Sequence, residues 1–117
     1  MKEDKFKIIN LIKELIINID RNLVNFPKRD IEYKKEIRKC SYDLLLLAQE
    51  GNITSDINRR IVLIEKSIAE VKQLDFLINL CCDKQIINVK KYYKFGESLD
   101  RIIRYLVAWL NASKSSI

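Results

Sequence analysis

Apolar residues recur along this chain every three or four positions, the period at which a helix returns side chains to one face. From about Asp4 to Asn25 the series is Ile8, Ile12, Leu15, Ile19 and Leu23, widened by Ile9 and Ile16. Phe26-Pro27 ends it, because proline disfavours the helical conformation in the residue before it. A second helix is predicted from about Arg29 to Glu50. Its inner face holds Tyr33, Ile37, Cys40, Leu44 and Leu47, with Lys28, Lys35 and Lys39 opposite. Gly51-Asn52 is the expected stop, since glycine takes the left-handed position past a helix end. Thr54, Ser55 or Asp56 then caps a third helix over about 55–82. Its stripe is Ile57, Ile61, Ile64, Ile68 and Val71, drifting to Leu74, Ile78 and Cys81.

The fourth helix, over about 89–113 with Asn88 as its cap, divides most sharply. Tyr92, Phe95, Leu99, Ile102, Leu106 and Trp109 share one face. Lys90, Lys94, Arg101 and Arg104 share the opposite one, within an arc of roughly 80°. Only Glu97 interrupts that stripe. Gly96 inside the helix costs about 1 kcal/mol relative to alanine, and marks either a close helix crossing or mere tolerance.

Four helices of similar length with short connections predict an all-α fold, an antiparallel up-down-up-down four-helix bundle forming one domain over 1–117. Some apolar residues do not fit the core stripes. Phe6, Ile17 and Val24 lie across from that of the first helix, and Val62, Ala69, Phe76 and Leu80 away from that of the third. Exposed apolar rows of this kind become subunit interfaces. A thick core that uses several faces of each helix would also absorb them.

Composition sharpens this picture. The chain has 117 residues, 48% hydrophobic and 32% charged, with two glycines and one proline. An all-β domain would need far more turn residues. The net charge is +6, and its placement matters more than its size. Residues 85–117 carry six basic against two acidic side chains, so most of the excess sits around the fourth helix. Concentrated positive charge points to an anionic partner, although a merely solvated helix face reads the same way. Glu3 and Asp4 fall where a signal peptide wants cations. Apolar runs such as Leu44–Ala48 and Tyr105–Leu110 are far below the ~18 residues of a membrane span. Cys40, Cys81 and Cys82 are odd in number and lack CxxC spacing, which favours core thiols in a reducing cytoplasm.

Catalytic chemistry is poorly supplied. The chain has no histidine, which removes Ser-His and Cys-His catalysis and histidine metal sites. Two isolated glycines cannot build a phosphate loop. Asp75, in the apolar stretch Leu74-Asp75-Phe76-Leu77-Ile78, is expected to pair with an arginine of a neighbouring helix rather than to act as a catalytic acid. No enzyme activity, metal or cofactor is expected. Tyr92 and Trp109 belong to the buried stripe, while Tyr93 and Tyr105 point sideways, to stack on bases or fill an interface.

Several segments together resemble one family. They are Phe26-Pro27-Lys28, then Ile37-Arg38 and Asp43-Leu44-Leu45, and the end of the third helix from Val71 to Asp83 running into Ile86-Ile87. The last is the closing run from Leu99 to Leu110, with Trp109 near its end. Across about residues 6–113 the chain resembles the accessory variability determinant proteins of diversity-generating retroelements. These are relatives of the four-helix-bundle proteins encoded in intervening sequences of bacterial large-subunit ribosomal RNA genes. Where that family often has glycine, this chain has Lys34 early in the second helix, and Ile103, Val107 and Ala108 near the closing tryptophan. The resemblance implies a basic homopentamer that binds RNA and DNA without marked sequence preference. It also implies association with the retroelement's reverse transcriptase, during copying of a template RNA into mutated cDNA.

The expected function is therefore a cytoplasmic, non-enzymatic scaffold for nucleic acid and a reverse transcriptase, with no membrane partner. Lys90, Lys94, Arg101 and Arg104 are the leading phosphate contacts, with Lys28, Lys35 and Lys39 secondary. Phe6, Ile17, Val24, Val62, Phe76 and Leu80 are the candidate subunit contacts. Two alternatives stay open. One is a ribosomal-RNA intervening-sequence type of bundle without a reverse transcriptase. The other is a protein-only adaptor whose basic face docks an acidic partner.

Overall fold

The computed structural model describes residues 2–117, with side chains from Lys7 onward. It is all-helical. The elements are α1 (Lys2–Asn22), a short 3-10 turn (Lys28–Asp30), α2 (Ile31–Ile53), α3 (Ile57–Asp83) and α4 (Val89–Ser115). A 27-residue helix spans about 40 Å, close to the 47 Å long dimension of a molecule 23 Å and 20 Å across, so the helices lie side by side. Each packs on its chain neighbours and α1 closes against α4, while the backbones of the diagonal pairs stay apart. Opposite ends of chain neighbours meet. Asp20 of α1 reaches Arg38 of α2, and Asp30 before α2 reaches Lys84 after α3. Tyr92 early in α4 faces Asp75 late in α3.

One apolar core runs through all four helices. Ile8, Ile12, Leu15 and Ile19 meet Ile37, Leu44 and Ala48, Ile64, Val71, Leu74 and Ile78, and Phe95, Leu99, Ile102 and Leu106. Removing such side chains from water supplies roughly 1.5–3 kcal/mol each, which offsets the modest helix propensity of the many isoleucines. The stripes of α1 and α4 lie as their periodicity places them. On α3, Ile57, Ile61 and Ile68 are only half-buried, and Leu63, Ser67 and Leu77 are buried in addition. On α2, Ala48 and Ser41 are enclosed and Leu47 half-exposed. The α2–α3 contact is the most extensive in the bundle, so each of these helices buries an arc wider than one heptad stripe.

Helix ends depart from expectation in informative ways. α1 stops at Asn22, short of Asn25, because the chain must turn inward to bury Phe26. α2 does not stop at Gly51 but continues to Ile53, and no glycine has a positive φ. The stop comes at Thr54, whose backbone is extended. Arg60 then satisfies carbonyls the helix end leaves open, donating from Nε to Gly51 O at 3.0 Å and from Nη2 to Thr54 O at 2.7 Å. Asp56 caps α3 by accepting from the Asn58 and Arg59 N–H groups, and Asn88 caps α4 by accepting from the Lys91 N–H.

α3 ends in a Schellman turn: Ile86 N–H donates to Cys81 O at 2.8 Å and Gln85 N–H to Cys82 O at 3.0 Å. The left-handed position is taken by Gln85, φ 62°, instead of glycine. Among the described residues, no helix is long and apolar enough to cross a membrane.

Candidate nucleic-acid interface

The outer face of α4 carries Lys90, Lys94, Arg101 and Arg104, all exposed. From Lys90 to Arg104 the helix rises about 21 Å, the rise of about six phosphates along one strand of duplex DNA. Lys90, Lys94 and Arg101 make no ion pair with any described residue. Arg104 Nη2 lies 2.7 Å from Asp100 Oδ2 one turn earlier. Both side chains of that pair are more than half exposed, so water screens it and a phosphate can displace it. Glu97 points outward within the stripe.

The secondary cations stand apart from this face. Lys35 pairs with Glu32 at 3.3 Å and Lys39 with Asp43 at 2.9 Å. The Asp43 carboxylate raises the Lys39 pKa through its hydrogen bond and its charge. Lys28 sits in the 3-10 turn before α2. Because α2 and α4 are diagonal partners, Lys35 and Lys39 are not brought into one surface with the α4 stripe.

What the structure does add to the stripe comes from α1. A cleft of about 260 Å³ lies where the end of α1 borders the start of α4. Arg21, Asn18 and Asn22 line it from one side, Lys91, Lys94 and Ser98 from the other, with buried Phe95 in its wall. Among the described residues, no carboxylate lines it. Arg21 and Lys91 were absent from the sequence-based candidates. Lys91 lies 100° around the helix from Lys90, outside the counted arc, and Arg21 belongs to another helix. Only the α1–α4 pairing, which no single-helix projection contains, puts them together.

The α3–α4 side is different in sign. A groove of about 390 Å³ is lined by two acids, Asp75 and Asp100, against one cation, Lys72, with Tyr92, Tyr93, Gly96 and apolar neighbours. Asp75 is half-buried and faces the Tyr92 hydroxyl, which donates to its Oδ1 at 3.5 Å, rather than the expected arginine. The buried, ion-paired acid is instead Asp30, held by Lys84 at 3.2 Å and Arg29 at 3.5 Å. Gly96 marks no close crossing, since an added β-carbon would meet nothing within 4 Å. Tyr93 is exposed, while Tyr105 stacks edge-on against half-buried Trp109 at 6.3 Å.

The thiols are core groups. Burial, then the Glu70 carboxylate that accepts from Cys40 Sγ at 3.0 Å, push the Cys40 pKa upward. Burial pushes Cys81 to about 11. Of the apolar rows, Val24 and Phe76 stand 66% and 58% exposed, Ile17 and Val62 are exposed too, and Leu80 is half-buried. The side chain of Phe6 lies outside the described residues.

No protein-family model matches this chain, and neither a curated protein nor a solved structure matches it.

Proposed function

We propose that this chain is a non-enzymatic, basic helical scaffold that binds nucleic acid through the outer face of α4. The observation that carries the reading is the row Lys90, Lys94, Arg101 and Arg104, exposed along about 21 Å of one rigid helix. The packed core fixes the spacing of these cations along the helix, so they meet a row of phosphates together, and the entropy to be lost is that of the side chains themselves. The contacts would be to phosphate, so they position a strand without reading its bases. The resemblance to the accessory variability determinant proteins supplies the rest of the proposal: a homo-oligomer, with a reverse transcriptase as protein partner. Repetition of a weak stripe in each copy raises affinity through effective concentration. The exposed Ile17, Val24, Val62 and Phe76 offer apolar surface for such an assembly.

The experiment is the double variant Arg101→Glu/Arg104→Glu, titrated against single- and double-stranded oligonucleotides of RNA and DNA. Affinity should fall at least tenfold, about 1.4 kcal/mol, with helical circular dichroism intact. For the unaltered protein, log K should fall with log salt at a slope of about −0.7 to −0.9 per phosphate contacted. Unchanged affinity in the double variant removes these arginines from the proposal.

A further inference from the structure

We infer that the cleft between α1 and α4 is a phosphate-binding site, and that it takes a phosphomonoester at the end of a nucleic-acid strand. Three cationic side chains, Arg21, Lys91 and Lys94, line one cleft of about 260 Å³, and among the described residues no acid lines it. None of the three pairs with a carboxylate among the described residues, whereas Arg38, Lys39, Arg59, Lys84 and Arg104 all do. Like charges gathered without a counter-ion repel one another, and an anion between them relieves that repulsion. The helix ends do not set the sign here. α1 finishes and α4 begins beside the cleft, so partial charges of about −0.5 and +0.5 largely cancel. The side chains decide it.

The neutral lining suits a tetrahedral oxyanion. Ser98 supplies a hydroxyl donor and the amides of Asn18 and Asn22 supply N–H donors. Asn22 already spends one amide hydrogen on Asn18 O at 2.8 Å, which fixes its side chain and leaves its other hydrogen for a ligand. Arg21 brings a planar fork that binds phosphate oxygens in pairs. A second hollow of about 180 Å³ runs past Arg21, Asn22 and Lys91 toward Asn25 and Ile86, so the ligand can leave in that direction.

The charge count selects the ligand class. A backbone phosphodiester carries one negative charge, but a monoester carries about −1.5 to −2 near neutral pH. Three cations match the monoester better. Lys94 belongs both to this cleft and to the outer stripe of α4. A strand lying on that stripe can therefore place its end in the cleft. The strand-end part rests on the nucleic-acid reading above, whereas the phosphate site itself does not.

Two measurements on the full chain test this. In the first, inorganic phosphate is titrated while the side-chain amide signals of Asn18 and Asn22 are followed by NMR. They should shift saturably in the unaltered protein and stay still in Arg21→Ala/Lys91→Ala. Absence of a shift in the unaltered protein overturns the site. In the second, the same oligonucleotide is compared with and without a terminal phosphate at either end. One phosphorylated form should bind roughly tenfold tighter, the size of one charge-assisted hydrogen bond. The cleft variant should lose that preference while Arg101→Glu/Arg104→Glu keeps it.

Equal binding of all forms overturns strand-end recognition and leaves the outer-face reading standing. Saturable phosphate binding with no oligonucleotide binding supports the cleft, assigns it a free phosphate or nucleotide, and overturns the scaffold reading instead.

Discussion

Trp109 of α4 lies across Gly51 of α2, so that a β-carbon added at position 51 would stand 2.9 Å from Trp109 Cη2. That contact explains why a glycine is tolerated inside the last turns of a helix, where it costs about 1 kcal/mol relative to alanine. Gly51→Ala should improve local propensity and still destabilise the protein by about 1–3 kcal/mol, the usual penalty of overpacking. Denaturant unfolding checks the sign. Trp109→Leu should remove the clash, and in a double-mutant cycle the pair should couple by about 0.5–3 kcal/mol.

Gly96 is the internal control for this argument. It lies inside α4 with open space where a side chain would begin. Gly96→Ala should therefore stabilise the protein by about 1 kcal/mol. For a domain of this size the melting temperature should rise by about 4 °C. Two glycine-to-alanine changes on diagonally placed helices, opposite in sign, would show that packing and not propensity governs position 51.

That contrast also measures what the sequence made legible. Periodicity alone placed four helices and the cores of α1 and α4, because those helices bury one clean stripe. Gly51 was legible as a special position but not as the right one. A helix-stopping glycine and a glycine beneath an aromatic ring look alike until the partner helix is known. Asp30 escaped notice because its burial comes from the closing of the α3–α4 turn over it, through Lys84 from far along the chain. The same limit applies to the candidate interface. The Lys90–Arg104 face belongs to one helix and could be drawn from its spacing, whereas Arg21 joins Lys91 only through the packing of α1 on α4.

Asp30 should make the fold asymmetric toward charge removal. Its side chain is 9% exposed and Lys84, which also lies 5.0 Å over the Tyr33 ring, is 40% exposed. Lys84→Met leaves a nearly buried carboxylate with only the 3.5 Å contact to exposed Arg29. It should cost about 1–3 kcal/mol, after discount for the solvent around the lysine. Asp30→Asn, which keeps the shape and frees an exposable lysine, should cost less. Paired urea titrations would check the order, and equal losses would refute it.

The turn after α3 offers a gain. Gln85 holds the left-handed position of the Schellman turn with φ 62°. A β-carbon there costs about 1–2 kcal/mol, which glycine avoids at the expense of greater freedom in the unfolded chain. Gln85→Gly should leave a net stabilisation of several tenths of a kcal/mol up to about 1, read as a higher denaturant midpoint at unchanged slope.

Alkaline pH should expose the cost of enclosing two thiols. Burial raises the Cys81 pKa to about 11 from an ordinary 9.0, and raises Cys40 as well, with Glu70 adding to the effect. A thiol with a raised folded-state pKa keeps its proton in the native state after the unfolded chain has lost it. The folded state then binds more protons than the unfolded one, and stability falls as pH rises. The loss attributable to Cys81 should be absent below about pH 9 and accumulate through about pH 11. The thiol share is isolated by difference. The Cys40→Ala/Cys81→Ala variant should be less stable at neutral pH, from the lost side-chain volume, yet decline less steeply between pH 9 and pH 11. Urea midpoints for both proteins across that range give the comparison. Parallel declines would mean that the thiols ionise as readily in the folded protein as in the unfolded chain.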